Sequence, residues 1–545
     1  MGCLRRGKWI LLALIAVLAI TGCGRFSPSA DKKPEESKKE LRQGGQLVYG
    51  SLQEPSMLNP LLSDLLSVSE VSSLLFNGLL RANDKGEWMP DLALDVPTLQ
   101  NGGVSRDGLT VTYRLRPGVT WHDGVAFTAQ DVKFTWQLIM NPKANVISRE
   151  GYDKIASIDT PDATTVVVRF REFYAPYLTL FSVILPKHIL ENVPDINKAA
   201  FNRSPIGTGP FKLKEWRMAE AIILEANPQF FRGKPVLDSI EYKVVPEMNL
   251  LLTQLKAGEI DIASNLDLSQ LDQARSLDNV NVVTTPNSIW EHVDFNLDKP
   301  LFQEVQVRQA IVDGVDRQAI VATVLKNAAV PAAGDQPPVS WAYNPSVTAA
   351  GRDVNAAKGL LNQAGWVAGP DGIYAKNGVR LSFSLAYPQN DKTREAVAQL
   401  IVQQLKEVGI EARPLAVEKE TFFNDTLKNR RFDMALYAWA AGSDPDNSDL
   451  WNSRNIPGWN NGYAGRNYPG WRNPEVDGLT EQAVRTPDLE TRKQAYFRIQ
   501  EIINQECPVL PLYFHTQLAA VKKNIANYKP GPAGALWNAW QWGFR

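Results

Sequence analysis

Cys23 follows Thr21 and Gly22, and a thiol behind small residues can be diacylated and become a new N-terminus. Upstream stand Arg5, Arg6 and Lys8, then the apolar run 9–20. Cations, an apolar stretch and a small-residue cut site make a secretory leader, and the cysteine makes it a lipoprotein leader. The apolar run is short of the roughly 20 residues that span a bilayer, so cleavage before Cys23 is expected rather than an uncleaved anchor. Residues 1–22 then read as a signal peptide. Two or three acyl chains on one residue hold a protein on a membrane stably, whereas one chain does not. Residues 23–43 read as a lipidated flexible tether, because the mixed charges of 31–40 leave little apolar surface to bury.

A second group lies between 439 and 451: Trp439, Ser443, Asp444, Asn447 and Trp451. Indoles stack, a hydroxyl and an amide exchange hydrogen bonds, and a carboxylate pairs with a cation. That is the chemistry of binding. The group follows the strand-like 432–439, and ligands of α/β folds sit beyond the carboxyl ends of strands. A plainer reading stays open, in which Asp444-Pro445-Asp446 is a turn and Asp446 with Asp449 caps a helix. Tyr513 joins further aromatics, including Trp459, Trp471, Trp537, Trp540 and Trp542, that either pack a core or offer stacking platforms. Reaction chemistry finds no foothold: H-E-x-x-H, G-x-S-x-G and G-x-x-x-x-G-K-[ST] are absent. His122, His188, His292 and His515 are far apart, so no spacing supports a metal site. Cys507 has no histidine within five residues and reads as a buried structural thiol with no disulfide partner. No catalytic residue, cofactor or metal is expected.

The elements that must position these residues alternate strand and helix. Residues 46–51, 109–115 and 164–170 read as strands, and 64–80 as an apolar-rich helix. Thr128 reads as the cap of a helix through 139. In 371–439, Asp371-Gly372 and Asn377-Gly378 mark hairpin turns, and Val379, Leu381, Phe383 and Leu385 line one strand face. A helix over 393–408 is ended by Gly409, followed by a strand over 409–415, a helix over 419–428 and a strand over 432–439. This is a β-α-β-α-β unit and predicts an α/β class.

The chain has 545 residues and a formal charge of −1, too long for one core and too near neutral to favour nucleic acid. Its segment 105–136, with Arg116-Pro117-Gly118 and Trp121-His122-Asp123-Gly124, resembles the signature of the family 5 extracellular solute-binding proteins. Gly207-Thr208-Gly209-Pro210-Phe211, Gly258-Glu259-Ile260-Asp261 and Asp444-Pro445-Asp446 fit in the family's order. His122 itself reads as a hydrogen-bonded structural residue in a turn.

The resemblance implies a two-lobed periplasmic-binding-protein type II (Venus-flytrap) fold with an extra inserted domain. Domain I would comprise 44–85, 208–297 and 518–545, domain II 86–207, and domain III 298–517. Hinge segments would lie near 295–301 and 512–517, with ligand in the cleft between domains I and III. It implies a lipid-anchored extracytoplasmic receptor, monomeric, that passes oligopeptides to the permease subunits of an ABC importer. An oligosaccharide or other small solute is the alternative ligand, and a receptor that lost transport or a secreted hydrolase are the other classes. Peptide receptors of the family carry an aspartate three residues after the tryptophan at 439. Here that position is Gly442, which leaves Asp444 as the acid able to anchor a ligand cation.

Overall fold

The computed structural model describes residues 41–545, and Leu41–Arg545 form one compact unit. The signal segment, Cys23 and the tether up to residue 40 lie outside the described residues. Backbone pairing begins at Arg42, whose N–H donates to the Phe544 carbonyl at 2.9 Å, slightly upstream of the expected start at Gly45. No described helix is long and apolar enough to cross a membrane.

An 11-stranded mixed sheet runs through the molecule. At one end Gln46–Ser51 pairs in parallel with Ser239–Val244, which continues antiparallel to Ala221–Ala226 and Phe211–Arg217. At the other end Ser382–Pro388 pairs in parallel with both Glu411–Val417 and Met434–Ala440. Two long antiparallel strands, Val280–Phe295 and Val509–Lys522, join the ends. Each end has its own core. One gathers Leu47, Tyr49, Ile240 and Trp542; the other gathers Phe295, Phe302, Phe383 and Leu405. A third core, with Trp121 and Phe127, sits beside the three-stranded sheet of Thr110–Arg114, Thr165–Phe170 and Ile155–Asp162.

The β-α-β-α-β segment forms as its periodicity predicts, with two local differences. Leu381 ends the run of Val379, because its N–H turns to the Tyr374 carbonyl; Val379 therefore sits on a separate hairpin strand and is 55% exposed. The short helix Lys419–Thr421 widens into a π-helix over Phe422–Leu427. The helix Lys392–Val408 ends where expected, at Gly409 with φ +93°, where a side chain would meet the Gly372 carbonyl. Near the N-terminus the apolar helix is shorter than its composition suggests, Leu66–Leu75. It stops because the Leu75 carbonyl accepts the Gly209 N–H at 2.8 Å and Phe76 turns extended. Thr128 caps Ala129–Met140 in a reciprocal box with Asp131.

Candidate functional site

The two joining strands pair from Val280 with Lys522 to Pro286 with Thr516, lose register, and resume at Trp290 with Phe514. Pro286 has no N–H to give the ladder, which favours a break there. Asn287 turns the chain by accepting the Ile289 N–H on its side chain at 2.9 Å, and Ser288 accepts the Ala441 N–H at 2.9 Å. The first crossing therefore lies upstream of the expected 295–301, where Phe295 is already inside a lobe core.

The irregular stretch opens onto a cavity of about 740 Å³. Phe76, Arg81, Trp88 and Trp537 form one wall, and Gln336, Trp341, Gly442 and Ser443 the other. The charged side chains on the wall are Asp64, Arg81 and Asp91. Asp91 is fully buried and takes Arg81 at 2.7 Å and Arg232 at 3.0 Å, while Arg81 also donates to the Trp537 carbonyl at 2.8 Å. Serines and threonines supply much of the remaining polar surface. Beside the crossing, Glu291 accepts Arg394 at 2.5 Å and His515 at 2.9 Å. Burial pulls its carboxyl upward, but these bonds outweigh burial and hold it below the usual carboxylate range.

Of the six sequence candidates, Ser443 lies on this wall. Trp439 sits opposite Trp290 in the sheet, half-buried, with the Arg466 guanidinium 4.7 Å above its ring. Asp444 is bound by Arg492, whose Nη2 lies 2.7 and 3.0 Å from its two oxygens, so its charge is matched within the protein. Burial raises the Asp444 carboxyl and Arg492 offsets part of that; burial depresses Arg492 and Asp444 more than restores it. The geometry is that of a charged pair. Asn447 and Trp451 are buried and both donate to Asp335, at 2.8 and 2.9 Å. Tyr513 is buried beside Glu291, and its hydroxyl has no partner.

Trp537, named from sequence as either core or stacking platform, lies on the wall; Gln336, Trp341, Trp88 and the 285–288 turn were not apparent from sequence. The cluster Pro286-Asn287-Ser288 inside an alternating strand is the one signal that marks a bulge; the tryptophans carry no local mark. Among the described residues no three His, Cys, Asp or Glu side chains converge as metal ligands. His122 is a tie between segments. Its Nδ1 accepts the Gly207 N–H at 3.1 Å, and Nε2 faces the Gly209 carbonyl at 3.1 Å. The ring therefore carries its proton on Nε2.

The family model described as bacterial extracellular solute-binding proteins, family 5 Middle, matches residues 87–461. The oligopeptide-binding protein AppA of Bacillus subtilis (strain 168) is 32% identical over 551 residues, covering 99% of this chain and 99% of that protein. The solved structure of AppA from Bacillus subtilis with a nonapeptide aligns with a TM-score of 0.59 at 31% identity, over 93% of this chain and 100% of that one. NikZ from Campylobacter jejuni, solved with Ni(L-His), gives a TM-score of 0.62 at 28% identity, over 91% and 99%. These structures share the multidomain type II periplasmic-binding fold. A match over most of the chain, joined to a lobe-crossing cavity, leads to one conclusion: the chain belongs to the family 5 bacterial extracellular solute-binding proteins.

Proposed function

We propose that this protein is the extracytoplasmic substrate-binding component of an ABC importer and takes oligopeptides into the cavity between its lobes. The observation that carries the reading is the cavity of about 740 Å³ at the strand crossing, in a chain that resembles an oligopeptide-binding relative along its whole length. The volume lies within the roughly 300–1,000 Å³ usual for ligand pockets. Backbone amides and hydroxyls on the wall suit peptide groups, and closure about the crossing strands would shift the population toward a closed form. Ser443 touches ligand; Trp439, Asn447, Trp451 and the Asp444 pair with Arg492 support the wall. Domain boundaries at 86, 208 and 518 follow from the same reading, and the one expected at 298 moves upstream to the register break between Pro286 and Trp290. The protein acts as a monomer, anchored by acylated Cys23, hands ligand to permease subunits, and catalyses nothing.

An oligosaccharide ligand is the second reading, favoured by Trp88, Trp341 and Trp537 at the edges of a wall rich in hydroxyls. Native mass spectrometry of the protein purified from a host grown in rich medium separates the two. Heterogeneous retained masses that fragment as peptides support the first, and hexose-spaced adducts replace it with the second. Cys23→Ser should abolish incorporation of labelled fatty acid; retained label would remove the anchor from the proposal.

A further inference from the structure

Asp335 begins the segment 335–341 that carries Gln336 and Trp341 to the cavity wall. It is 4% exposed. Its Oδ2 accepts two hydrogen bonds, from Asn447 Nδ2 at 2.8 Å and Trp451 Nε1 at 2.9 Å. Its Oδ1 has no partner, and neither has Asn447 Oδ1; both atoms are buried. A buried acceptor left without a donor is costly, and more so when charged. The two orphans belong to side chains already bonded to each other, so one remedy serves both. A proton on Asp335 Oδ1 removes the charge and offers an O–H to Asn447 Oδ1, completing an acid–amide pair.

Burial is the largest influence on this carboxyl and favours its neutral form; it outweighs the hydrogen bonds of Trp451, Asn447, its own backbone and Gln336, which favour the charged form, and no ionic side chain is among them. Ionisable neighbours on the adjoining elements are engaged elsewhere. Asp444 pairs with Arg492, Asp446 accepts the Ser448 N–H, and Asp449 pairs with Arg466.

We infer that Asp335 is a positioning residue of the ligand site, held as the neutral acid, and that its proton locks segment 335–341 to the loop 441–451. The two segments present Gln336, Trp341, Gly442 and Ser443 on one wall, and a bond from Gln336 Nε2 to the Pro445 carbonyl at 3.1 Å ties them again. Burial pushes the Asp335 carboxyl upward, in the same direction. The sign follows. With the folded value raised, the lock is complete at low pH and is lost as pH climbs through that value, so ligand affinity falls on the alkaline side. The inference rests on this cavity being the ligand site.

Infrared difference spectra of the full-length protein and Asp335→Asn, recorded from about pH 5 to about pH 9, test the proton directly, without ligand. A protonated-carboxyl band present in the wild type and missing from the variant is expected; carboxylate bands lost in the variant instead, at every pH, overturn the proposal. Binding of a mixture of synthetic nonapeptides with free termini is then followed from about pH 5 to about pH 9. Wild-type affinity should fall by up to about tenfold per pH unit above the folded value, while Asp335→Asn, a permanent neutral mimic, stays flat. Equal pH slopes in both proteins overturn the proposal. The milder Trp451→Phe removes one donor to the carboxylate and should move the wild-type midpoint up by about one pH unit; an unmoved midpoint counts against the lock. If no peptide binds either protein, the peptide reading fails while the infrared result still decides the state of Asp335.

Discussion

Asp444 and Arg492 make the sharpest test of what the loop after the Met434–Ala440 strand does. The Arg492 side chain is 1% exposed and that of Asp444 13%. Arg492 also donates from Nε to the Ala483 carbonyl at 2.7 Å and from Nη1 to the Ala175 carbonyl at 2.9 Å. It thus joins the third core's segment to the helix Leu489–Glu506. Removing one partner of a buried pair costs about 3–5 kcal/mol, because the other charge stays buried without compensation. Arg492→Met, which also orphans two carbonyls, should fall at the upper end. Asp444→Asn keeps an acceptor and should fall near about 3 kcal/mol. The double variant should cost less than the two single losses together, by about 2–3 kcal/mol of coupling. Denaturant midpoints and slopes of the four proteins measure this. Additivity within about 0.5 kcal/mol would refute the structural role. Ligand specificity supplies the second arm. A buried internal pair predicts that Asp444→Asn weakens cationic and neutral ligands alike; a loss confined to cationic ligands would place Asp444 on the ligand.

Three further outcomes follow from the structure. Burial holds His122 down to about 4, so protons bind the unfolded chain first as pH drops. Stability should therefore fall by at most about 3 kcal/mol between pH 6.5 and 4, a slope that His122→Gln should remove in denaturation midpoints measured against pH. At Gly442 an added Cβ finds only the Asp444 carbonyl, at 3.7 Å; Gly442→Asp should therefore fold and favour free over acetylated peptide N-termini by about tenfold or more in calorimetric titration. Burial pushes the Cys507 thiol up to about 11, so in a chain with Cys3 and Cys23 replaced by serine, a thiol reagent at neutral pH should react only after unfolding.

Local rules were legible in the sequence wherever a side chain's environment is set by its neighbours along the chain. The alternation of Leu381, Phe383 and Leu385, the helix over 393–408, the Gly409 stop and the Thr128 cap all depend on residues within a turn or two. The family signature over 105–136 is likewise a run of contiguous residues. The cavity is of another kind. Its wall draws on Phe76, Trp88, Ser288, Gln336, Ser443 and Trp537, brought together where two paired strands lose and regain register, and no local periodicity encodes that meeting. Asp444 shows the limit most clearly. Its position after Trp439 makes it the natural acid for a ligand, but its charge is answered by Arg492, 48 positions away. Asn447 and Trp451 likewise turn to Asp335, more than a hundred residues upstream. Residue type determined that this segment could bind a cation or stack a ring. Only tertiary packing decided which of its groups were left free to do so, because a buried charge or amide must be satisfied by whatever the fold places beside it.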